Sequence, residues 1–140
     1  ERGINSIQRL INNFEKATGV TVEVEYCNLP QLLGERYDEI LYRTIQEGLT
    51  NAFRHGKADT VRIIFWRDDS QIKVWIRDNG KGSGIIQEGI GLSGMRERIS
   101  SLGGAVEAKN TFQGFELAIW FPWNSRKRGE KYEFRTTNIG

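Results

Sequence analysis

The most informative stretch of the chain is residues 78–98, which read DNGKGSGIIQEGIGLSGMRER. Six glycines fall between positions 80 and 94. They are too many for a regular helix or strand and predict a loop. Helical propensity resumes at Leu92 and continues to Leu102, where Gly103 and Gly104 stop it. The loop therefore separates an N-terminal part that ends in a strand from a C-terminal part that begins with a helix.

Before the loop, the sequence predicts two helices and three strands. Apolar residues repeat with a helical period from Ile4 to Phe14, and the period returns over about 35–55. Alternation over 20–26 predicts a first strand. Alternation on both sides of Asp68-Asp69-Ser70, in 61–65 and 72–76, predicts a hairpin.

After the loop, the sequence predicts one helix and a last pair of strands. Residues 105–109 and 115–121 form that pair, and Pro122 closes the domain. The resulting order α-β-α-β-β-loop-α-β-β predicts an α/β (α+β) sandwich, with about three helices on one face of a mixed sheet.

Length and charge bound the interpretation further. The chain has 140 residues and a net charge of +2, which fits one domain and gives no indication of nucleic-acid binding. Residues 124–140 hold five basic and two acidic side chains without an apolar period. We therefore place the domain in 1–123 and interpret 124–140 as a poorly ordered basic extension, with a docking or membrane-surface segment as the alternative. No apolar run is long enough to span a membrane, and the single Cys27 favours a reducing, cytoplasmic compartment.

The second predicted helix carries a polar stripe beside its apolar face. Glu47, Asn51 and Arg54 lie at i, i+4 and i+7, and His55 is next to Asn51. An amide oxygen suits Mg²⁺, a carboxylate can orient a nucleophile, and a guanidinium can meet phosphate oxygens. A solvated helix face is the alternative for this stripe taken alone.

Asp78 continues the inward face of the strand before the loop. Ile72, Val74 and Ile76 point one way, and alternation places Asp78 next on that face. A buried carboxylate needs hydrogen-bond donors, supplied by the protein or by a ligand such as the exocyclic amine of adenine. A hairpin turn at Asp78-Asn79-Gly80 is the alternative. It is disfavoured because the residues from Lys81 to Gly84 do not begin a returning strand.

Residues 89–94 match the pattern G-x-G-x-x-G. A dinucleotide-binding site would require a strand directly before it, whereas the preceding residues are polar and rich in glycine. What remains is an anion site formed by backbone amides at the start of a helix. Arg96 and Arg98 follow in that helix, and we interpret them as solvated rather than as phosphate or partner contacts.

Together these segments resemble the ATP-binding domains of the GHKL family. Residues 46–55 (QEGLTNAFRH) resemble its N box, 78–82 (DNGKG) its G1 box and 89–98 (GIGLSGMRER) its G2 box. The sequences around the N box and after the glycines are similar to those of sensor histidine kinases that pair with NarL/FixJ-type response regulators. The resemblance covers essentially residues 1–123.

The resemblance implies a Bergerat fold, with a mostly antiparallel sheet, that binds ATP with Mg²⁺. It implies that Asn51 ligates Mg²⁺, that Glu47 polarises or positions the reacting group, and that Asp78 binds the adenine amine. The implied ATP-binding residues are Asn51, Arg54, His55, Asp78, Gly80, Lys81, Gly82, Gly89, Gly91, Leu92 and Gly94.

Two departures from the family pattern bear on function. Many relatives have Thr after the glycine of the last strand pair, where this chain has Phe115 after Gly114. The only histidine, His55, lies inside the N box, so the phosphoacceptor is expected on a separate dimerisation domain. We expect the isolated domain to be monomeric and the parent kinase to be a homodimer, whether or not a membrane anchors it. The alternatives are a catalytically silent ATP-binding module and a GHKL-type serine kinase.

Overall fold

A computed structural model describes residues 2–54, 57–80 and 90–124. These residues form three helices and five strands in the predicted order. The elements are α1 (Gly3–Thr18), β1 (Thr21–Cys27), α2 (Glu35–Arg54), β2 (Thr60–Arg67), β3 (Gln71–Asp78), α3 (Ile90–Ser100), β4 (Ala105–Thr111) and β5 (Gly114–Pro122).

The strands form one mixed sheet in the order β1-β2-β3-β5-β4. β1 pairs with β2 in parallel, and the remaining neighbours are antiparallel. One face carries alternate apolar residues that are buried with those of the helices in a single core, including Ile63, Phe65 and Phe121. The prediction of a mostly antiparallel sheet with helices on one face is confirmed.

Local chemistry explains where the first elements end. Gly19 adopts the left-handed conformation with φ 78°, and its N–H donates to the carbonyl of Glu15. The predicted β2–β3 hairpin is confirmed, and Asp68 closes it by accepting hydrogen bonds from the N–H groups of Ser70 and Gln71 at 3.0 and 2.9 Å.

The loop prediction is partly wrong. Residues 80–94 are predicted to form the loop and the helix is predicted to resume at Leu92, but α3 begins two residues earlier, at Ile90, and includes Gly91 as well as Gly94. Side chains approach both glycines closely enough that a Cβ would collide with them or crowd them. At Gly91 and Gly94 the missing side chain therefore serves close packing within a helix.

Trp123 completes the core just beyond β5. It is buried, its backbone N–H donates to the carbonyl of Ser70, and its indole N–H donates to the carbonyl of Leu33 at 2.9 Å. The predicted poor order of the extension concerns residues that, from 125 onward, lie outside the described part of the chain. Among the described helices, none is both long enough and apolar enough to cross a bilayer.

Candidate functional site

Gly48 sets the contact between α2 and the sheet. A Cβ at this position would lie 2.9 Å from the Cδ1 atom of Ile76 on β3, so the glycine lets α2 approach the sheet closely without moving the end of that side chain. Glu47 precedes Gly48, and Asn51 lies one turn from Glu47 along α2. Asp78 is two residues beyond Ile76 on the same face of β3. Glu47 and Asn51 therefore lie on either side of the Gly48–Ile76 contact, close to the carboxylate that is predicted to bind adenine.

The carboxylate of Asp78 is buried, as its place in the alternation predicts. The residue is 7% exposed. Its Oδ1 atom accepts a hydrogen bond from the N–H of Gly80 at 2.8 Å, and the backbone of Phe115 donates a second one. Burial raises the pKa of Asp78, while the hydrogen bonds from Gly80 and Phe115 act in the opposite direction. The protein thus supplies part of the hydrogen bonding that this carboxylate needs.

The hairpin alternative at Asp78-Asn79-Gly80 is wrong. β3 has β2 on one side and β5 on the other, so both of its edges are already paired. Asn79 instead ties the end of β3 to the start of β2. Its Oδ1 atom accepts from the N–H groups of Asp59 and Thr60, each at 3.0 Å, and its Nδ2 atom donates to the Asp59 carboxylate at 2.6 Å.

Phe115 takes the place where the resemblance would put a threonine. Its backbone N–H, rather than a side-chain hydroxyl, donates to Asp78. The preceding Gly114 permits this arrangement, because a Cβ there would lie 1.9 Å from the carbonyl oxygen of Asp78. The departure from the family pattern therefore leaves Asp78 with main-chain support from β5.

The first turn of α3 packs against the polar stripe of α2. A Cβ on Gly91 would lie 2.3 Å from the Oε2 atom of Glu47 and 3.9 Å from the Oδ1 atom of Asn51. The first turn of α3 has no acidic residue of its own. Glu47 therefore brings a negative charge from another element to the positive end of the α3 dipole.

Arg98 forms an ion pair with Glu47. Its Nη2 atom lies 3.0 Å from Oε1 of Glu47, and the two side chains are 19% and 24% exposed. Arg96 donates to the carbonyl of Val106 on β4. The interpretation of Arg96 and Arg98 as solvated helix arginines is therefore wrong, because the amphipathic pattern of α3 does not reveal partners on α2 and β4.

Arg54 lies about one turn beyond Asn51 on α2. It is exposed at the end of α2 and lines a surface pocket of about 450 Å³. Among described residues, the other lining groups come from the end of α1, the connection to β1 and the segments next to Arg54, and they do not include Glu47, Asn51 or Asp78; they are Thr18, Gly19, Val20, Phe53, Lys57, Ala58 and Asp59. Leu92 is 5% exposed and belongs to the hydrophobic core, so its side chain packs rather than facing solvent.

Four predicted site residues lie outside the described part of the chain. They are His55, Lys81, Gly82 and Gly89. The structure brings together Glu47, Asn51 and Gly91, and it buries Asp78 beside Gly80. The sequence predicts no role for Asn79 and no contact between Gly94 and Arg98; a glycine four residues before a helical arginine is the one signal in the sequence that points to the second.

The donor set fits a magnesium ion that is held together with nucleotide phosphates. Asn51 supplies an amide oxygen close to the start of α3. Among the described residues there is no group of three or more His, Cys, Asp or Glu side chains that could hold a metal. Mg²⁺ commonly takes one or two protein oxygens and completes its shell with water and substrate phosphates, so one amide oxygen suits this mode.

Comparison with known sequences gives one family. A profile of the histidine kinase-, DNA gyrase B- and HSP90-like ATPases matches residues 37–134. The sensor histidine kinase LnrJ of Bacillus subtilis is 34% identical over 125 residues, which is 89% of this chain and 31% of that protein. The histidine-protein kinase/phosphatase UhpB of Salmonella typhimurium is 32% identical over 120 residues, 84% of this chain and 24% of that protein. The chain thus spans about a quarter to a third of these relatives.

Solved structures share the fold. The ATP-binding domain of PrrB from Mycobacterium tuberculosis superimposes with a TM-score of 0.69 at 19% identity, covering 85% of this chain and 92% of that one. The mycobacterial sensor histidine kinase MprB gives a TM-score of 0.69 at 18% identity, covering 89% and 96%. The arrangement of three helices on a five-stranded mixed sheet is that of histidine kinase ATP-binding domains.

Proposed function

The chain belongs to the family of histidine kinase-, DNA gyrase B- and HSP90-like ATPases, and from this premise we propose that it transfers the γ-phosphoryl group of ATP to a histidine on a separate domain of a sensor histidine kinase. It is homologous to the catalytic ATP-binding domains of such kinases. The observation that carries the proposal is the convergence of Glu47 and Asn51 on the first turn of α3, beside a strand that ends in the buried Asp78.

Each of these groups has a role that its surroundings support. Asp78 accepts a hydrogen bond from the exocyclic amine of adenine, since a buried carboxylate with a raised pKa gains from a further donor. Asn51 ligates Mg²⁺ through its amide oxygen, and Mg²⁺ neutralises phosphate charge when bound. Backbone amides around Gly91 face the phosphates at the positive end of α3.

Glu47 acts on the phosphoacceptor. A nitrogen of the acceptor imidazole attacks the γ-phosphorus, the bond from that phosphorus to the bridging oxygen breaks, and ADP leaves. The carboxylate of Glu47 accepts a hydrogen bond from the other imidazole nitrogen and so orients the ring as it gains positive charge. Such a site contributes mostly positioning and charge neutralisation.

The partners follow from the same proposal. The phosphoacceptor lies on the dimerisation domain of the parent kinase, which acts as a homodimer in the cytoplasm, while the isolated domain is a monomer. The phosphohistidine then supplies a response regulator of the NarL/FixJ type. Support for this regulator class comes from the sequence of residues 89–98, which resembles the corresponding segment of kinases that pair with such regulators.

A mixing experiment tests the proposal. The domain is incubated with γ-labelled ATP, Mg²⁺ and the dimerisation domain of its parent kinase, and the label is followed on that domain. We expect an acid-labile phosphohistidine with wild type, and ATP binding with only a slow residual transfer with Glu47→Gln. ATP binding without any label would contradict the kinase proposal and favour a silent module, and an acid-stable label would indicate a serine kinase.

A further inference from the structure

Arg98 is the charged residue of α3 that reaches the proposed catalytic carboxylate. The Nη2 atom of Arg98 donates to Oε1 of Glu47 at 3.0 Å, across 51 positions of sequence. Both side chains are less than a quarter exposed. A pair at this depth is screened less by solvent than an exposed one, so it can hold its geometry.

The path of the Arg98 side chain depends on Gly94. A Cβ on Gly94 would lie 3.1 Å from Nη1 of Arg98, so the guanidinium lies back over the preceding turn of α3. A larger residue at position 94 would crowd the guanidinium and require it to shift, so glycine at i−4 favours the conformer of Arg98 that reaches Glu47. This contact assigns Gly94 a role that a phosphate-binding loop alone does not require.

Gly91 confines the other side of the same carboxylate. Its missing side chain leaves room for Oε2 of Glu47, which lies 2.3 Å from the place where a Cβ would be. Arg98 thus contacts Oε1 while the backbone at Gly91 borders Oε2. The Nε atom of Arg98 is buried and has no hydrogen-bond partner among the described residues. A buried N–H without an acceptor costs free energy, and the fold tolerates this cost at the residue that forms the ion pair with Glu47.

We propose that Arg98 is a positioning residue for Glu47: it holds one carboxylate oxygen and directs the carboxylate to the first turn of α3, where phosphoryl transfer takes place. This inference rests on the proposed function. Arg98 acts through Glu47 and does not bind the nucleotide. The planar guanidinium makes a single hydrogen bond to Glu47, and it holds this orientation better than the rotatable ammonium of a lysine, because less conformational entropy is lost for the bond that it forms.

Steady-state transfer to the parent's dimerisation domain tests the role of Arg98. Arg98→Met keeps an unbranched stem but removes the guanidinium and its charge. We expect kcat at saturating ATP to fall at least tenfold and the Kd for Mg·ATP to change less than threefold. Arg98→Lys recovers part of kcat. Arg62→Met is the matched control, because Arg62 pairs with Glu23 on the opposite face of the sheet and both side chains are more than half exposed. We expect this control variant to transfer the phosphoryl group at the wild-type rate.

A double variant separates positioning from direct nucleotide contact. If Arg98 acts through Glu47, Glu47→Gln/Arg98→Met transfers no more slowly than Glu47→Gln alone. Multiplied losses in the double variant, an unchanged kcat in Arg98→Met, or a loss of ATP affinity equal to the loss of kcat would each overturn the proposal.

Unfolding of the nucleotide-free protein keeps the pair testable without catalysis. We expect the urea midpoint of the double variant to shift by less than the two single shifts combined. Additive shifts would contradict the pair itself. If the shifts are coupled but wild type transfers no label to a competent acceptor, the pair stands while its role in transfer fails together with the proposed function.

Discussion

The buried carboxylate of Asp78 favours the binding of a ligand amine at the expense of the stability of the fold. Burial raises its pKa, so the folded protein binds the carboxyl proton more tightly than the unfolded chain does. As pH rises from 3.8 through the raised pKa, ionisation therefore lowers the free energy of unfolding. The charged carboxylate that recognises an amine is, in the absence of nucleotide, a cost to the fold.

The variant Asp78→Asn separates these two effects. Its amide oxygen still accepts the hydrogen bond from Gly80, but the desolvated charge is gone. We expect its urea midpoint at pH 7 to equal or exceed that of wild type, with the difference fading below pH 3.8. We also expect ATP affinity to fall about 10- to 100-fold, the worth of one charge-assisted hydrogen bond. A variant less stable than wild type at pH 7, or one with unchanged affinity, would contradict these assignments.

Asn79 makes the reverse contribution. Its side chain is the main cause of the lowered pKa of Asp59, so the contribution of Asp59 to stability is complete above its usual pKa of 3.8 and is lost as pH falls through the lowered value. We expect Asn79→Ala to lower the urea midpoint at pH 7 by leaving two backbone N–H groups without their acceptor. Serine at position 79 is the control, since its hydroxyl can replace one of these bonds.

At the scale of elements, the contact between α2 and β3 is the one on which the site depends. Gly48→Ala gains helix propensity of about 1 kcal/mol, and its added Cβ meets only the flexible end of Ile76, so we expect little net change. Gly48→Val adds branched bulk at the same contact, and we expect it to destabilise the fold by about 1–3 kcal/mol. Because the α2–β3 spacing positions Glu47 and Asn51, transfer should decrease more than stability in either variant; equal effects on both would contradict this.

Periodicity predicts the elements well where one element determines its own pattern. The apolar alternation over 72–76 predicts the central part of β3 and the burial of Asp78. It fails where a second element decides. Gly91 resembles a loop residue in the sequence, but it lies in the first turn of α3, where Glu47 of α2 occupies the space of its missing side chain. The Glu47–Arg98 pair joins positions 51 apart, and no local period encodes such a contact.

Charge at the scale of the whole molecule is nearly balanced. The net charge is +2, and residues 124–140 alone carry +3, which leaves the rest slightly acidic. Attraction for a polyanionic nucleotide therefore has to come from local groups, such as the positive end of α3, rather than from the overall field. Removing the basic residues after Asn124 then tests how far the ATP-binding domain extends.

Truncation after Asn124 tests whether the domain is complete at Trp123. Trp123 is 3% exposed and bonds to Leu33 and Ser70, so the described core already includes its last large side chain. We expect residues 1–124 to keep the urea midpoint and the ATP affinity of the full chain, whereas Trp123→Ala costs about 3–5 kcal/mol. The family profile extends to residue 134. If the ten residues after Asn124 contribute to folding or binding, the truncated chain will lose stability or affinity, and a boundary at Trp123 will be wrong.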